Sequence, residues 1–514
     1  MLIIGAGPTG LSLACQLLRY GIDFLIIERN EGLTPFSKAI GVHARTLEIY
    51  EQIGLASKAV EQGTIAGKGR LLVGGEVRGE IDLSNIGAGL SPYPYVLMLE
   101  QSKNEQLLYE FLRGHGKEVF WKRDLENLSQ NESAVMARVK SPDGSTHLIE
   151  AKYLVGCDGP KSLVRHALGL SFEGSTFERT FYVADAQIDW HLSHAALHIC
   201  LAKNSFVLFF PLKGEKRYRI VGVFPPEFAK EEGDVLYDEI EQRIKGEAQL
   251  ELDIHDVEWF STYKVHTRHV SHFSEHRCFL AGDSAHVHSP AGAQGMNTGI
   301  QDGYNLAWKI ALVLKGKANQ KILNTYNEER LENAKNLLQT TDRLFQFAAG
   351  SEPFLVFLRM NVFPSVAKYL LSLDSVKQFI FPLLSQIGIN YRHSSLSRHV
   401  GDEQFKVKAG DRMPYFTIDG ASIYDKLHAP KFHLLAFSSQ AKSTSVENAY
   451  TELVDFNALP LNSQVKEAFD SNKPFTVLLR PDNYIGFIST DDSSNKLTTY
   501  LDERVSYSQL SGSL

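Results

Sequence analysis

Cysteine is scarce in this 514-residue chain: Cys15, Cys157, Cys200 and Cys278 are scattered, three of them inside apolar stretches and none in a Cys-x-x-Cys pair. That usage reads as buried free thiols in a reducing compartment and argues against structural disulfides. No basic block is present. The net charge is −7, which excludes nucleic acid or an anionic membrane as the main partner class. No uninterrupted apolar run reaches the roughly 18 residues needed to span a bilayer; the most apolar later segment, 353–384, is broken by Arg359, Pro364, Lys368, Asp374 and Lys377. No basic leader precedes the first apolar run, Leu2-Ile3-Ile4, so the expected location is cytoplasmic. Internal repeats, low-complexity tracts and a metal-ligand set are also lacking. What remains is ordinary globular composition, 43% hydrophobic and 22% charged, enough chain for two to four domains and small-molecule chemistry.

The stretch with the most positional constraint runs from Cys278 to Lys309. An apolar run of strand length ends at Gly282-Asp283, where a carboxylate can hold a sugar-like hydroxyl. Pro290-Ala-Gly292-Ala-Gln294-Gly295 follows, a loop whose small residues let a planar group lie against the main chain. From Gly295, Ile300, Leu306, Ala307, Ile310 and Val313 recur at helical spacing until Gly316. The amides of Gly295, Met296 and Asn297 would offer negative charge a seat at the helix start.

The chain opens on a strand, Gly5-Ala-Gly7-Pro8-Thr9-Gly10, a helix to about Tyr20, and a second strand ending in Glu28-Arg29. This is a dinucleotide-binding βαβ pattern: Gly5 for the turn, Gly7 for close approach of a pyrophosphate, Gly10 for helix packing, Glu28 for ribose hydroxyls. Arg45, near a helix start, reads either as a bidentate phosphate ligand or as a solvated helix arginine. Gln101 is a polar residue placed to meet a polyol. A later strand ends in Asp158-Gly159-Pro-Lys-Ser162-Leu-Val-Arg165, repeating the strand–small residue–helix theme. Strand-like runs at 182–188, 196–201, 206–211 and 218–224 predict a mostly antiparallel sheet. Residues 321–391 read as helical, and a cysteine-free unit with strands at 432–437 and 475–479 closes the chain.

Taken together, Gly5-x-Gly7-x-x-Gly10, Asp158-Gly159 with Ser162 and Arg165, and Gly282-Asp283-Ser-Ala-His286 followed by Pro290 resemble the three fingerprints of the group A FAD-dependent aromatic monooxygenases. The segments Ala409-Gly-Asp-Arg-Met-Pro414 and Leu479-Arg-Pro-Asp-Asn-Tyr484 are similar to the branch containing phenol and polyketide hydroxylases and rifampicin monooxygenase. Two positions depart from the family pattern, Ser284 for alanine and Ala293 for glycine, both small for small.

The resemblance implies an α/β chain, α+β overall: a Rossmann-like FAD-binding domain (1–75, 96–175, 265–345), an interleaved antiparallel-sheet substrate domain (76–95, 176–264), a helical linker (346–395) and a thioredoxin-like C-terminal domain (396–514). It implies FAD held by Gly5, Gly7, Pro8, Thr9, Gly10, Glu28, Arg29, Arg45, Gln101, Asp158, Arg165, Gly282 and Asp283. The loop Pro290, Gly292, Gln294, Gly295, Met296 and Asn297 would lie under the flavin ring, with Pro290, Gly295 and Asn297 as its catalytic part. NADPH or NADH is the implied transient reductant, and a flavin C4a-hydroperoxide passes one oxygen of O2 to an aromatic, phenolic or polyketide-like substrate. A phenolate supplies its own electron push, so no catalytic triad is required, and His286 and His288 read as structural. The substrate wall is expected from the strands around Phe209, Pro211 and Val223, although a strand alternates faces and the sequence does not fix which one. Monomer or homodimer is expected, and the C-terminal unit reads as a packing or assembly element. The competing reading is a non-catalytic protein that sequesters flavin and a polyketide. A halogenase is excluded by the isolation of Trp121, Trp190, Trp259 and Trp308, and a plain dehydrogenase leaves the second and third motifs unexplained.

Overall fold

The computed structural model describes all residues except 37–38, 204, 225–236, 290, 351, 371–372, 402–404, 439–449, 491–493 and 506–514. The three-residue strands Leu2–Ile4, Leu25–Ile27, Leu154–Gly156 and Cys278–Leu280 are apolar almost throughout and almost entirely buried. Such strands suit a parallel sheet covered on both faces. They lie in the order Cys278–Leu280, Leu154–Gly156, Leu2–Ile4, Leu25–Ile27, all parallel, with short edge strands outside them. Helix Pro8–Arg19 crosses over from the first strand and packs on the long helix Gly295–Leu314. Both helices stop where the sequence places their glycines, Gly21 at φ +61° and Gly316 at φ +68°.

A second, eight-stranded sheet is mostly antiparallel and centres on two 19-residue strands, Phe172–Trp190 and Leu252–Val270. Each runs past the expected boundaries near 175 and 264, so these two strands link the layers. The boundary at residue 75 also falls inside structure. Lys68–Val73 and Glu76–Asp82 are the two arms of one hairpin on this sheet, turned by Gly74 and Gly75, both at positive φ. The chain therefore enters this sheet at Lys68, because a hairpin cannot be divided between two sheets.

Alternation divides the sheet faces. Tyr182, Ile188, Val207, Phe209, Tyr218 and Ile220 pack on helix Tyr237–Ala248, while Phe181, Phe206 and Val223 face the other way, toward Met360 and Ala348. In the C-terminal unit the strands lie in the order 398–400, 485–489, 475–479, 432–438, 454–460; 432–438 runs parallel to 454–460 and antiparallel to 475–479. Phe432, Leu434, Leu478 and Phe487 belong to the same apolar core as the parallel sheet, so this unit is packed into the fold.

Candidate functional site

The three glycine motifs converge at the ends of the parallel strands. Gly5 takes φ +103°, and a Cβ there would lie 2.3 Å from the Cys157 carbonyl oxygen and 3.0 Å from Asp158 Cα, which joins the first motif to the second. A Cβ on Gly10 would lie 2.0 Å from the Gly5 oxygen, whereas one on Gly7 meets nothing within 4 Å. Gly7 caps the helix with no side-chain hydrogen bond, and Pro8 is its first residue. Thr9 is wedged between the first motif and the third: its Oγ1 would be 2.4 Å from a Cβ on Gly282 and 2.3 Å from one on Gly299. Glu28 sits at the tip of the second strand, its carboxylate accepting from the Ala6 amide at 2.8 Å and the Asn30 amide at 3.0 Å. Arg29 beside it is exposed.

Asp158 accepts from the amides of Leu163 (2.8 Å) and Val164 (3.2 Å), while its other oxygen is buried with no partner. Burial raises its pKa above the usual carboxylate range. Arg165 is buried against the Phe172 ring at 4.1 Å and donates to the carbonyls of Pro160 and Ser284. Ser284 has a structural use: its hydroxyl donates to the Gly156 carbonyl at 2.6 Å and ties two strand ends. Asp283 is exposed beside it.

The helix that follows is braced by a cluster the sequence reading missed. Asp302, fully buried, accepts from the Gly282 amide (2.9 Å), pairs with His286 Nε2 (2.7 Å) and takes a charged hydrogen bond from Arg330 (2.6 Å). Burial opposes its ionisation, yet Arg330 and His286 together hold its pKa below the ordinary value. These residues lie 16 and 28 positions apart in sequence from Asp302, with no local spacing signal to unite them.

Pro290 lies outside the described residues. Gly292 (φ +80°) and Ala293 (φ +53°) make the left-handed bend of the loop, and a Cβ on Gly41 would lie 3.1 Å from Ala293 Cβ. Gln294 donates to the Leu383 carbonyl at 3.3 Å, and the Met296 sulfur accepts from Asn104 at 3.6 Å. The Asn297 side chain is fully engaged: Oδ1 accepts from the His43 amide and Thr46 hydroxyl, and Nδ2 donates to the carbonyls of Gly41 and Ala293. It clasps the loop to the 41–46 segment, which leaves backbone amides, with Gly295 at the helix start, to meet a ligand. His43 and His288 are each pushed down to about 4 by burial; neutral at physiological pH, they hydrogen-bond the carbonyls of Gly292 and Ser289.

Two expected ligands are engaged by groups of the chain itself. Arg45 is 1% exposed; it bonds Glu48 and the Asp482 carbonyl and lies over the rings of Tyr304 and Tyr484. It is buried and turned toward the C-terminal unit, because the partners that draw it come from that unit, from its own helix and from Tyr304 of the long helix. Gln101 holds the Ala39 amide (3.3 Å) and donates to Glu105 (2.8 Å), which accepts from the Thr34 amide (3.1 Å). Burial pushes Glu105 up to about 7. Phe209 packs against Trp190 at 4.9 Å on the helix-covered face of the sheet, and Pro211, paired with Tyr218, shares that face. Of the three expected wall residues only Val223 is on the opposite face, with Phe181 and Phe206. There Arg219 forms a buried bidentate pair with Asp185 at 2.7 Å, Asp185 accepts from Trp259, and Arg219 reaches the Ala39 carbonyl at 3.0 Å.

These residues fit FAD. A turn that admits no side chain at Gly5 and Gly10, open space at Gly7, an uncapped helix start and an acidic strand tip match the needs of a dinucleotide. The FAD binding domain family model matches residues 1–341. A flavin-dependent monooxygenase of Mycobacteroides abscessus is 33% identical over 98% of this chain and 99% of its own length. The 6-methylpretetramide 4-monooxygenase of Streptomyces rimosus is 32% identical over 89% of this chain and 83% of the relative. Among solved structures, the anhydrotetracycline hydroxylase of Streptomyces rimosus superposes with a TM-score of 0.76 at 28% identity, covering 98% of both chains. On the motifs, their convergence and this full-length likeness, the chain belongs to the FAD-binding family of flavin-dependent aromatic monooxygenases.

Proposed function

We propose that this monooxygenase hydroxylates an electron-rich ring of a phenolic or fused polyketide-like compound, using O2 and NADPH or NADH. The observation that carries the substrate class is the sheet face turned away from helix Tyr237–Ala248, an aromatic, dry surface of Phe181, Phe206, Tyr263 and Val223 packed toward Met360, which we assign to the substrate side. Full-length relatives that act on 6-methylpretetramide and anhydrotetracycline support it. FAD, when bound, supplies the reduction of dioxygen and its transfer. The chain supplies the rest. Gly7 and the start of helix Pro8–Arg19 would receive the diphosphate, and Glu28 at the strand tip would hold a ribose hydroxyl. The backbone of Gly295 and Met296, at an uncapped helix start, would stabilise negative charge on the ring with dipole support of about 0.3–2 kcal/mol. Asn297 fixes the loop, and the apolar wall excludes water. Asp158, with one unpartnered buried oxygen, and Arg165 are the residues we assign to shared contact with FAD and the nicotinamide nucleotide.

We read the C-terminal unit as thioredoxin-like, supported by its parallel–antiparallel strand order; without cysteine it has no dithiol chemistry. No helix among the described residues is long and apolar enough to cross a membrane, and we assign the protein to the cytoplasm. The test is NADPH and NADH oxidation by the FAD-loaded protein against phenols, anthraquinones, tetracyclines and rifamycins, with peroxide and product mass recorded. A ligand that accelerates oxidation and gains the mass of one oxygen atom is the expected result. Tight binding of such compounds without accelerated oxidation would return the sequestering reading.

A further inference from the structure

Helix Asp374–Leu384 ends beside the start of the long helix Gly295–Leu314. The turn that finishes it, 383–387, is remote in sequence from the three glycine motifs, yet it bonds to both segments that Asn297 clasps together. The Leu383 carbonyl accepts from the Gln294 side chain at 3.3 Å, and the Ser385 carbonyl accepts from the Arg45 amide at 3.3 Å. Arg412 of the C-terminal unit donates to the Ile387 carbonyl at 3.3 Å and fixes the far end. Gln386 sits in the middle of this turn, 2% exposed, at φ +61°. Glutamine seldom takes that left-handed conformation, which persists only where its surroundings impose it.

Its side-chain amide is used at both ends. Gln386 Nε2 donates to Thr298 Oγ1 at 2.8 Å, and Gln386 Oε1 accepts from Gln301 Nε2 at 2.6 Å. The direction of these bonds is forced. A threonine hydroxyl has a single proton, which Thr298 gives to the Gln294 carbonyl at 2.9 Å, so from Gln386 it can only accept. Gln301 gives its second amide proton to the Asn297 carbonyl at 3.3 Å. Both branches therefore end on the backbone of 294–297, and every residue in them is buried. A peptide unit is planar, so holding the Gln294 carbonyl also aims the Gly295 amide, one of the groups offered to negative charge on the ring. We propose that Gln386 is a positioning residue for the flavin chemistry: through Thr298 and Gln301 it aims the first amides of the long helix at the flavin ring. This rests on the placement of the ring against loop 292–297.

The experiment is the midpoint potential of FAD bound to the full chain, with the melting temperature beside it, for wild type, Gln386→Gly, Thr298→Val, their double variant, Phe209→Ala and Asn297→Ala. Glycine accepts the left-handed backbone, so Gln386→Gly removes the amide and leaves the turn. It is expected to weaken the preference of the site for reduced over oxidised flavin about tenfold, a fall of about 30 mV for a two-electron couple. Thr298→Val should also lower the potential, and the double variant should fall no further than the larger single one, because both cut the same chain of bonds. Phe209→Ala, whose cavity lies under helix Tyr237–Ala248, should melt earlier at an unchanged potential. A wild-type potential in Gln386→Gly while Asn297→Ala shifts it would overturn the inference, as would additive falls in the double variant or an equal fall in Phe209→Ala. A wild-type potential in Asn297→Ala as well would overturn it together with the placement of the ring.

Discussion

A methyl group distinguishes the three glycines of the first motif. At Gly5 it would press into the Cys157 carbonyl and at Gly10 into the Gly5 carbonyl, while at Gly7 it meets open space. Gly5→Ala and Gly10→Ala are therefore expected to lower the melting temperature and abolish FAD retention, with strain and repacking of roughly 1–3 kcal/mol. Gly7→Ala is expected to melt near wild type yet hold FAD more weakly. Melting curves with flavin absorbance check all three, and a Gly7→Ala protein that unfolds like Gly5→Ala would contradict the assignment. Glu105 makes a second prediction. Its folded pKa, about 7, lies above the ordinary carboxylate value of 4.5 because of burial. Stability from this group is fully present below the unfolded value and is lost as pH rises from about 4.5 through about 7. Glu105→Gln should flatten the decline of melting temperature across that window relative to wild type; parallel pH profiles would refute it.

At the scale of elements, the period of a β-strand decides which aromatics belong to the proposed substrate side. Phe206 and Phe209 are three residues apart on one strand and face opposite sides. Phe209→Ala should cost about 3–5 kcal/mol in stability through its cavity with little change in KM. Phe206→Ala should raise KM for an aromatic substrate. Denaturant melts and steady-state kinetics separate them, and a KM effect confined to Phe209→Ala would invert the assignment of faces. The helix pair behaves similarly. Gly299 and Gly282 both abut Thr9 Oγ1, so the damage of Gly299→Ala should be partly relieved by Thr9→Ala, a non-additivity expected only for residues in contact.

For the whole molecule, the contact that matters is between the flavin layer and the C-terminal unit. Arg480 bonds Glu329 (2.6 and 3.0 Å) and Asp482, Lys309 bonds Glu329 at 2.8 Å, and Trp308 bonds Asp482 at 3.0 Å, all fully buried. Burial lowers Lys309 to about 8 against the pull of Glu329. Removing one member strands the others, so Arg480→Met should cost about 3–5 kcal/mol, with Glu329→Gln added to it costing less than the sum. Deleting residues 396–514 would also expose the shared core of Phe432, Leu434 and Leu478, and the truncated protein is expected to aggregate. A soluble, FAD-loaded truncation would show the unit to be dispensable.

Sequence by itself determined what depends on neighbours in the chain. The βαβ opening, the glycines that stop helices, the long helix from Gly295 and the short strands were legible because backbone conformation and periodicity are local properties. The three motifs carried the family for the same reason: each is a turn that only certain residues can make. Tertiary structure alone decided the rest. Arg45 looks like a phosphate ligand in sequence and becomes a joint to Asp482 because its partner lies 437 residues away. The Asn297 side chain is a clasp because four partners from two segments surround its amide. Which way Phe209 and Val223 face was decided by packing, because helix Tyr237–Ala248 covers one side of the sheet. The Asp302–Arg330–His286 brace assembles only after the strands and helices that carry it have packed, because its strength lies in burial, which no single segment possesses.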